Sequence, residues 1–273
     1  MKLFRLLAVL CIIPLACSTG VIKTEIAPGE LWPDNRGIHI NAHGGGMLYR
    51  NGVYYWYGEH KDELTSDANV GINCYSSTDL LNWKFEGVVL PVVTDNDSSD
   101  ITKGCIMERP KVVYNEKTQK YVLWFHLELK GQGYKAARVA MAVSDSPTGT
   151  FEYVRSYRPN AGIYPLNFTD EQKNSPLTVQ NTPKAWSVEW LAAVENGLFV
   201  RRDLAGGQMS RDMTILWTTI KKRIIFLLPK KTKHCTLPNW PTIIKVIMGA
   251  MCVYWQVSTM KHQLFLRKTE NIF

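Results

Sequence analysis

Three carboxylates in the 273-residue chain lie beside β-rich runs. They are Glu59 in Tyr57-Gly58-Glu59-His60, Glu108 in Met107-Glu108-Arg109-Pro110, and Asp212 in Ser210-Arg211-Asp212-Met213-Thr214. Paired carboxyls cleave glycosidic bonds: one protonates the leaving oxygen, and the other activates water or attacks. Each acid alone reads equally well as a surface ion-pair partner, Glu108-Arg109 above all. A further motif, Asn41-Ala42-His43-Gly44-Gly45-Gly46, contains the His-Gly-Gly-Gly run of a lipase-like oxyanion loop. That reading requires a Gly-x-Ser-x-Gly elbow and βαβ spacing, and the chain has neither. The glycines instead point to a close approach of backbone near an axis. Trp and Tyr side chains, Trp56 among them, offer stacking faces for sugar rings, although most such side chains in a globular chain are core.

The elements around these residues are strands. Residues 46–50 and 53–57 flank Asn51-Gly52, a strong hairpin signal. Runs at 70–77 and 83–90 complete a unit, separated by the turn residues Thr78-Asp79-Leu80-Leu81-Asn82. The order recurs at 110–114, 120–127, 138–144 and 150–157. Each unit is four strands over about fifty residues, with aromatics in its second and fourth elements, which predicts propeller blades; a β sandwich is the alternative. Residues 160–207 form a long connection with a short helix expected within 185–197.

These residues together resemble glycoside hydrolase family 43, and within it the subfamily containing exo-β-1,3-galactanases. The resemblance is carried by residues 38–61, 108–114, 144–159 and 206–214, and spans residues 32–214. It implies an all-β, five-bladed propeller family, of which about two to three blades are present here. It also implies an inverting mechanism on galactose- or arabinose-containing plant polysaccharide, with no cofactor and no metal. Asp212 would orient the general acid and tune its pKa. Glu59 and Glu108 would contact the sugar or support catalysis, with His43, Trp56 and Arg109 as substrate contacts. His43 occupies the place where much of the wider family has its general-base Asp, so the base is unassigned. The family's general acid is a Glu in a Glu-Ala-Pro motif, and no such motif follows Asp212.

The chain has two compositions. Its net charge is +8 and its pI about 9.1, values that usually suggest nucleic acid or an anionic membrane. Yet residues 215–273 hold ten basic residues and one acid, whereas residues 1–214 hold 22 and 23. Of 19 glycines only Gly249 lies in the tail, and no Asp follows Asp212. Read one base out of register, the codons forced by Trp and Met give Asp at Trp217-Thr218, Ala at Trp240-Pro241 and Glu at Met260-Lys261. The two junctions after that Glu allow Ala or Thr, then Pro or Ser, so a Glu-Ala-Pro is available there. Residues 215–273 are therefore expected to be an out-of-frame tail, the alternative being a genuine basic tail. The partner expected of the near-neutral remainder is a polysaccharide or oligosaccharide rather than nucleic acid, bound by a monomer.

Residues 1–20 read as an export signal: Lys2 and Arg5 precede an apolar run too short to span a bilayer. Pro14-Leu15-Ala16-Cys17 resembles a lipobox, which would place a lipid anchor on Cys17; simple cleavage is the alternative. The expected location is the periplasm, outer membrane or cell surface. Export permits a Cys74–Cys105 disulfide, and two free buried thiols are equally compatible. Residues 21–214 form the expected partial propeller.

Overall fold

The computed structural model describes residues 22–165, 168–182, 184–217 and 223–228. The expected leader with Cys17 and most of the basic tail lie outside the described residues. Two four-stranded antiparallel meanders follow one another in chain order. The first comprises β1 (His43–Arg50), β2 (Val53–Glu59), β3 (Gly71–Ser77) and β4 (Lys84–Pro91). The second comprises β5 (Ile106–Asn115), β6 (Lys120–Glu128), β7 (Arg138–Ser144) and β8 (Glu152–Tyr157). A hairpin of β9 (Asp212–Trp217) and β10 (Arg223–Leu228) begins a third sheet. β1 contacts β5, and β5 contacts β9, so the first strands of successive sheets run together as the inner strands of propeller blades do.

Local chemistry sets the turns. Asn51 and Gly52 both take positive φ, 52° and 82°, and close β1 onto β2 with Arg50 opposite Val53. Between β3 and β4, Asp79 Oδ1 accepts the backbone N–H groups of Leu81 and Asn82 at 2.8 Å each. Both inner strands begin earlier than the sequence suggests, at His43 and Ile106 rather than 46 and 110. The reason is an irregularity in each: pairing breaks between His43 and Gly46 in β1 and between Glu108 and Lys111 in β5. Gly44 and Arg109 occupy matching places there with φ of 59° and 57°.

Alternation along the strands divides the apolar side chains between two faces. Tyr57, Cys74 and Val89 of the first blade meet Met107, Leu123, Phe125 and Phe151 of the second in the main core. Tyr57 crosses Phe151 edge-to-face at 6.2 Å, and its hydroxyl donates to Pro147 O at 2.7 Å. Burying an aromatic of this size stabilises by roughly 1.5–3 kcal/mol. Cys74 and Cys105 are free, buried thiols. On the opposite face of the first blade Trp56 lies edge-on between Trp32 and Trp83.

The β8–β9 connection contains three short helices where one was expected: α1 (Asp170–Lys173), α2 (Val188–Glu195) and α3 (Leu198–Asp203). Thr169 and Gln172 form a capping box on α1, and Ser187 caps α2. Trp190, Ala193, Val194, Leu198 and Phe199 give α2 and α3 a small core of their own.

The inner-strand packing leaves no room for a side chain at Gly58, where a Cβ would lie 2.2 Å from the Ala42 backbone. Gly58→Ala is expected to destabilise the chain by about 1–3 kcal/mol. Gly206→Ala, which meets nothing within 4 Å, is expected to change it by less than about 0.5 kcal/mol. Chemical denaturation of the two variants checks this.

Candidate active site

β1, β5 and β9 begin, and β2 and β6 end, at the same end of the molecule. At that end each blade pairs one imidazole with one carboxyl across its first two strands, and the two blades do so in opposite order. In the first blade His43 on β1 faces Glu59 on β2, with Nδ1 2.6 Å from Oε1. In the second, Glu108 on β5 faces His126 on β6, with Oε2 3.2 Å from Nδ1. The irregularity after His43 and after Glu108 lets each first-strand side chain take this place while the rest of its strand stays in register. Gly44 lies between the blades: a Cβ there would sit 3.1 Å from Glu59 Oε1 and 3.5 Å from Arg109 N.

The two glutamates have opposite electrostatic fates. Burial pushes the Glu59 carboxyl up, and the nearby Glu108 charge adds to this, against the opposing pull of His43 and Lys61. Burial acts the same way on Glu108, but hydrogen bonds from His126 and from Tyr134 (2.6 Å) outweigh it and hold the carboxyl down at about 2. Burial would lower the His126 pKa; its hydrogen bonds to Glu108 and Glu128 raise it instead. The consistent state is an imidazolium donating to two carboxylates, with Glu108 a permanent, oriented hydrogen-bond acceptor.

Asp212 joins this group through Arg109, whose Nε donates to Oδ1 at 3.1 Å. Asp212 remains open, with 66% of its side chain exposed. Lys111, two residues beyond Arg109, points the other way and is half-buried. Its Nζ donates to the carbonyls of Gly44 and Gly45 from β1, and of Pro110 from β5, at 3.1–3.3 Å. Burial and the Arg109 charge lower its pKa to about 8.

Five of the six residues singled out from the sequence therefore come together: His43, Glu59, Glu108, Arg109 and Asp212. Trp56 stands behind them, half-buried between Trp32 and Trp83, with its indole nitrogen against Gly45. His126, Tyr134, Lys111 and Glu128 were not singled out. A signal for His126 existed, since it lies two residues from the end of the second strand of its blade, and Glu59 ends that of the first. Tyr134 lies in a loop with no such cue. Among the described residues no group of acids, His and Cys could hold a metal ion.

Two successive four-stranded blades and the start of a third, with carboxylates gathered where the inner strands begin, define the chain as part of a β-propeller. No protein-family model matches it, and no curated protein does. A family 43 β-1,3-galactosidase solved with galactodeoxynojirimycin is 50% identical, over 77% of this chain and 61% of that one, with a TM-score of 0.72. A second family 43 β-1,3-galactosidase is 32% identical over 80% of this chain and 38% of that one, with a TM-score of 0.54. An exo-β-1,3-galactanase from Clostridium thermocellum is 32% identical over 77% and 36%, with a TM-score of 0.54. The chain belongs to glycoside hydrolase family 43, whose neighbouring members here are five-bladed propellers. It spans 61% of the first of these structures and less than two fifths of the other two.

The Glu108 environment has a consequence for acid stability. A carboxyl held at about 2 when folded contributes stability that is complete above its unfolded value of about 4.3 and is lost as the pH falls through about 2. Glu108→Gln is expected to flatten the fall of the denaturation midpoint between about pH 5 and pH 2.5. Equal slopes in parent and variant would show that Glu108 is not held in this way.

Proposed function

We propose that the chain carries the first blades of an exported β-1,3-galactan hydrolase, and that the 273-residue form recognises galactose without hydrolysing the glycan. The observation that carries this is the pair of opposed imidazole–carboxyl contacts, His43–Glu59 and Glu108–His126, at one end of two adjoining blades. A glycosyl residue presents hydroxyls on a compact ring. The Glu108 carboxylate accepts from them at any ordinary pH, and the His43–Glu59 pair supplies both a donor and an acceptor. Identity to a β-1,3-galactosidase solved with galactodeoxynojirimycin supports galactose as the sugar.

In the inverting scheme that the family resemblance implies, a general-acid Glu protonates the leaving oxygen while a base on the opposite face activates water. Asp212, held by Arg109 and open at the mouth of the site, is suited to orient such an acid. The acid itself has no counterpart in the 273-residue sequence, which lacks a Glu-Ala-Pro motif after Asp212. We attribute this to a change of reading frame near the codons for residues 213–216. That change also accounts for the shift in charge and glycine content at the same place. The leader at residues 1–20, with or without lipid on Cys17, would deliver a monomer to the periplasm or cell surface.

The purified 273-residue chain is expected to bind β-1,3-galacto-oligosaccharide without releasing galactose, and to lose that binding on Glu108→Ala. A one-base correction between the codons for Met213 and Leu216 is expected to produce a chain that releases galactose from β-1,3-galactan. Turnover by the uncorrected chain, or binding unchanged by Glu108→Ala, would overturn the reading.

A further inference from the structure

Glu128 makes no direct contact with Glu108, yet His126, which it holds, does. It is fully buried at the end of β6, and both carboxylate oxygens are engaged. Oε1 lies 2.9 Å from His126 Nε2 and 3.3 Å from Arg211 Nη1. Oε2 accepts the backbone N–H of Ala137 at 2.7 Å. Ala137 takes a φ of 46°, a strained value for a residue with a Cβ. Arg211 also donates to the carbonyl of Tyr134, and it immediately precedes Asp212. Tyr134 and His126 are the two donors to Glu108.

We propose that Glu128 is a positioning residue for Glu108: it anchors His126 directly and Tyr134 through Arg211, and so fixes the orientation and charge of the carboxylate that meets the sugar. The inference rests on Glu108 being the galactose contact. A residue serving only to fill space at this depth would be apolar, because a buried carboxylate is costly unless fully paired. Here its three partners come from β6, the β6–β7 loop and the root of β9. The carboxylate thus couples the second blade to the residue next to Asp212.

The charges around this chain are few. His126 faces Glu108 and Glu128; Glu108 also faces Tyr134 and Lys61, and the Glu59 carboxyl lies near it; Glu128 faces Arg211. Removing the Glu128 charge withdraws one of the two anions that keep His126 protonated. A neutral His126 in turn no longer holds Glu108 as a strongly oriented anion.

The test is Glu128→Gln in the full chain, read by imidazole NMR titration of His126 and by galactose affinity as a function of pH. The His126 midpoint is expected to fall by about one to three units. Galactose Kd near neutral pH is expected to rise about tenfold, and affinity to recover below the new midpoint, where the imidazolium returns. A purely structural role would give no such pH-dependent recovery. An unchanged midpoint and affinity in a folded variant overturn the proposal. If the variant does not fold, the unmodified chain decides: two protonated ring nitrogens on His126 at neutral pH support the anchor, and a neutral ring overturns it. Failure of the unmodified chain to bind galactose, with His126 doubly protonated, would overturn the galactose reading and leave the Glu128–His126 anchor standing.

Discussion

The Lys111 ammonium sits among backbone carbonyls contributed by two inner strands, and the rest of the site depends on that contact. Gly44 O and Gly45 O come from β1, and Pro110 O from β5. An ammonium among backbone carbonyls is costly to withdraw from water, and burial with the neighbouring Arg109 charge lowers its pKa to about 8 against the opposing pull of Asp212. In return it draws together the irregular segments that present His43 and Glu108. The approach is so close that a Cβ on Gly46 would lie 2.5 Å from Lys111 Cδ and 2.7 Å from Pro110 O. The His-Gly-Gly-Gly run is thus a packing requirement of the blade junction rather than an oxyanion loop.

From this junction the chemistry of the site follows. The blades repeat the same irregularity but exchange the residue types across it, histidine then glutamate in the first, glutamate then histidine in the second. Glu59, buried against a half-exposed histidine and near a second acid, is pushed toward its protonated form. Glu108, with an imidazolium and a phenol donating to it, is held as an anion. Two carboxyls of identical type are separated in acidity by their neighbours alone, the arrangement by which active sites assign different roles to like groups.

Much of the fold was legible in the sequence. Asn51-Gly52, the alternation of apolar side chains and the recurrence of four-strand units gave both blades with their pairing. What escaped was tertiary. Nothing local to Arg109 announces a left-handed φ, so β5 was expected to begin only after it. His126 reads as one more residue of a buried strand until its register opposite Glu108 is known. Glu128 and Tyr134 matter only through contacts made across loops. Trp56, expected as a sugar contact because Trp rings stack on sugars, is half-buried and packs edge-on with Trp32 and Trp83, a setting its sequence neighbours do not reveal. The helices of residues 170–203 were half seen, since Ser187 and the apolar spacing after it mark α2, whereas α1 has only four residues. The overall charge of +8 was the least informative number, because its excess lies almost wholly beyond the residues that build the site.

The central claim is that the two opposed imidazole–carboxyl pairs form one sugar-binding site. Imidazole NMR spectra of the 273-residue chain, recorded with and without galactose, test it most directly. The account predicts that the His43 and His126 signals shift together with a single affinity, while His39, bonded near Trp32, stays still. Shifts at neither histidine, or at His39 alone, would contradict it.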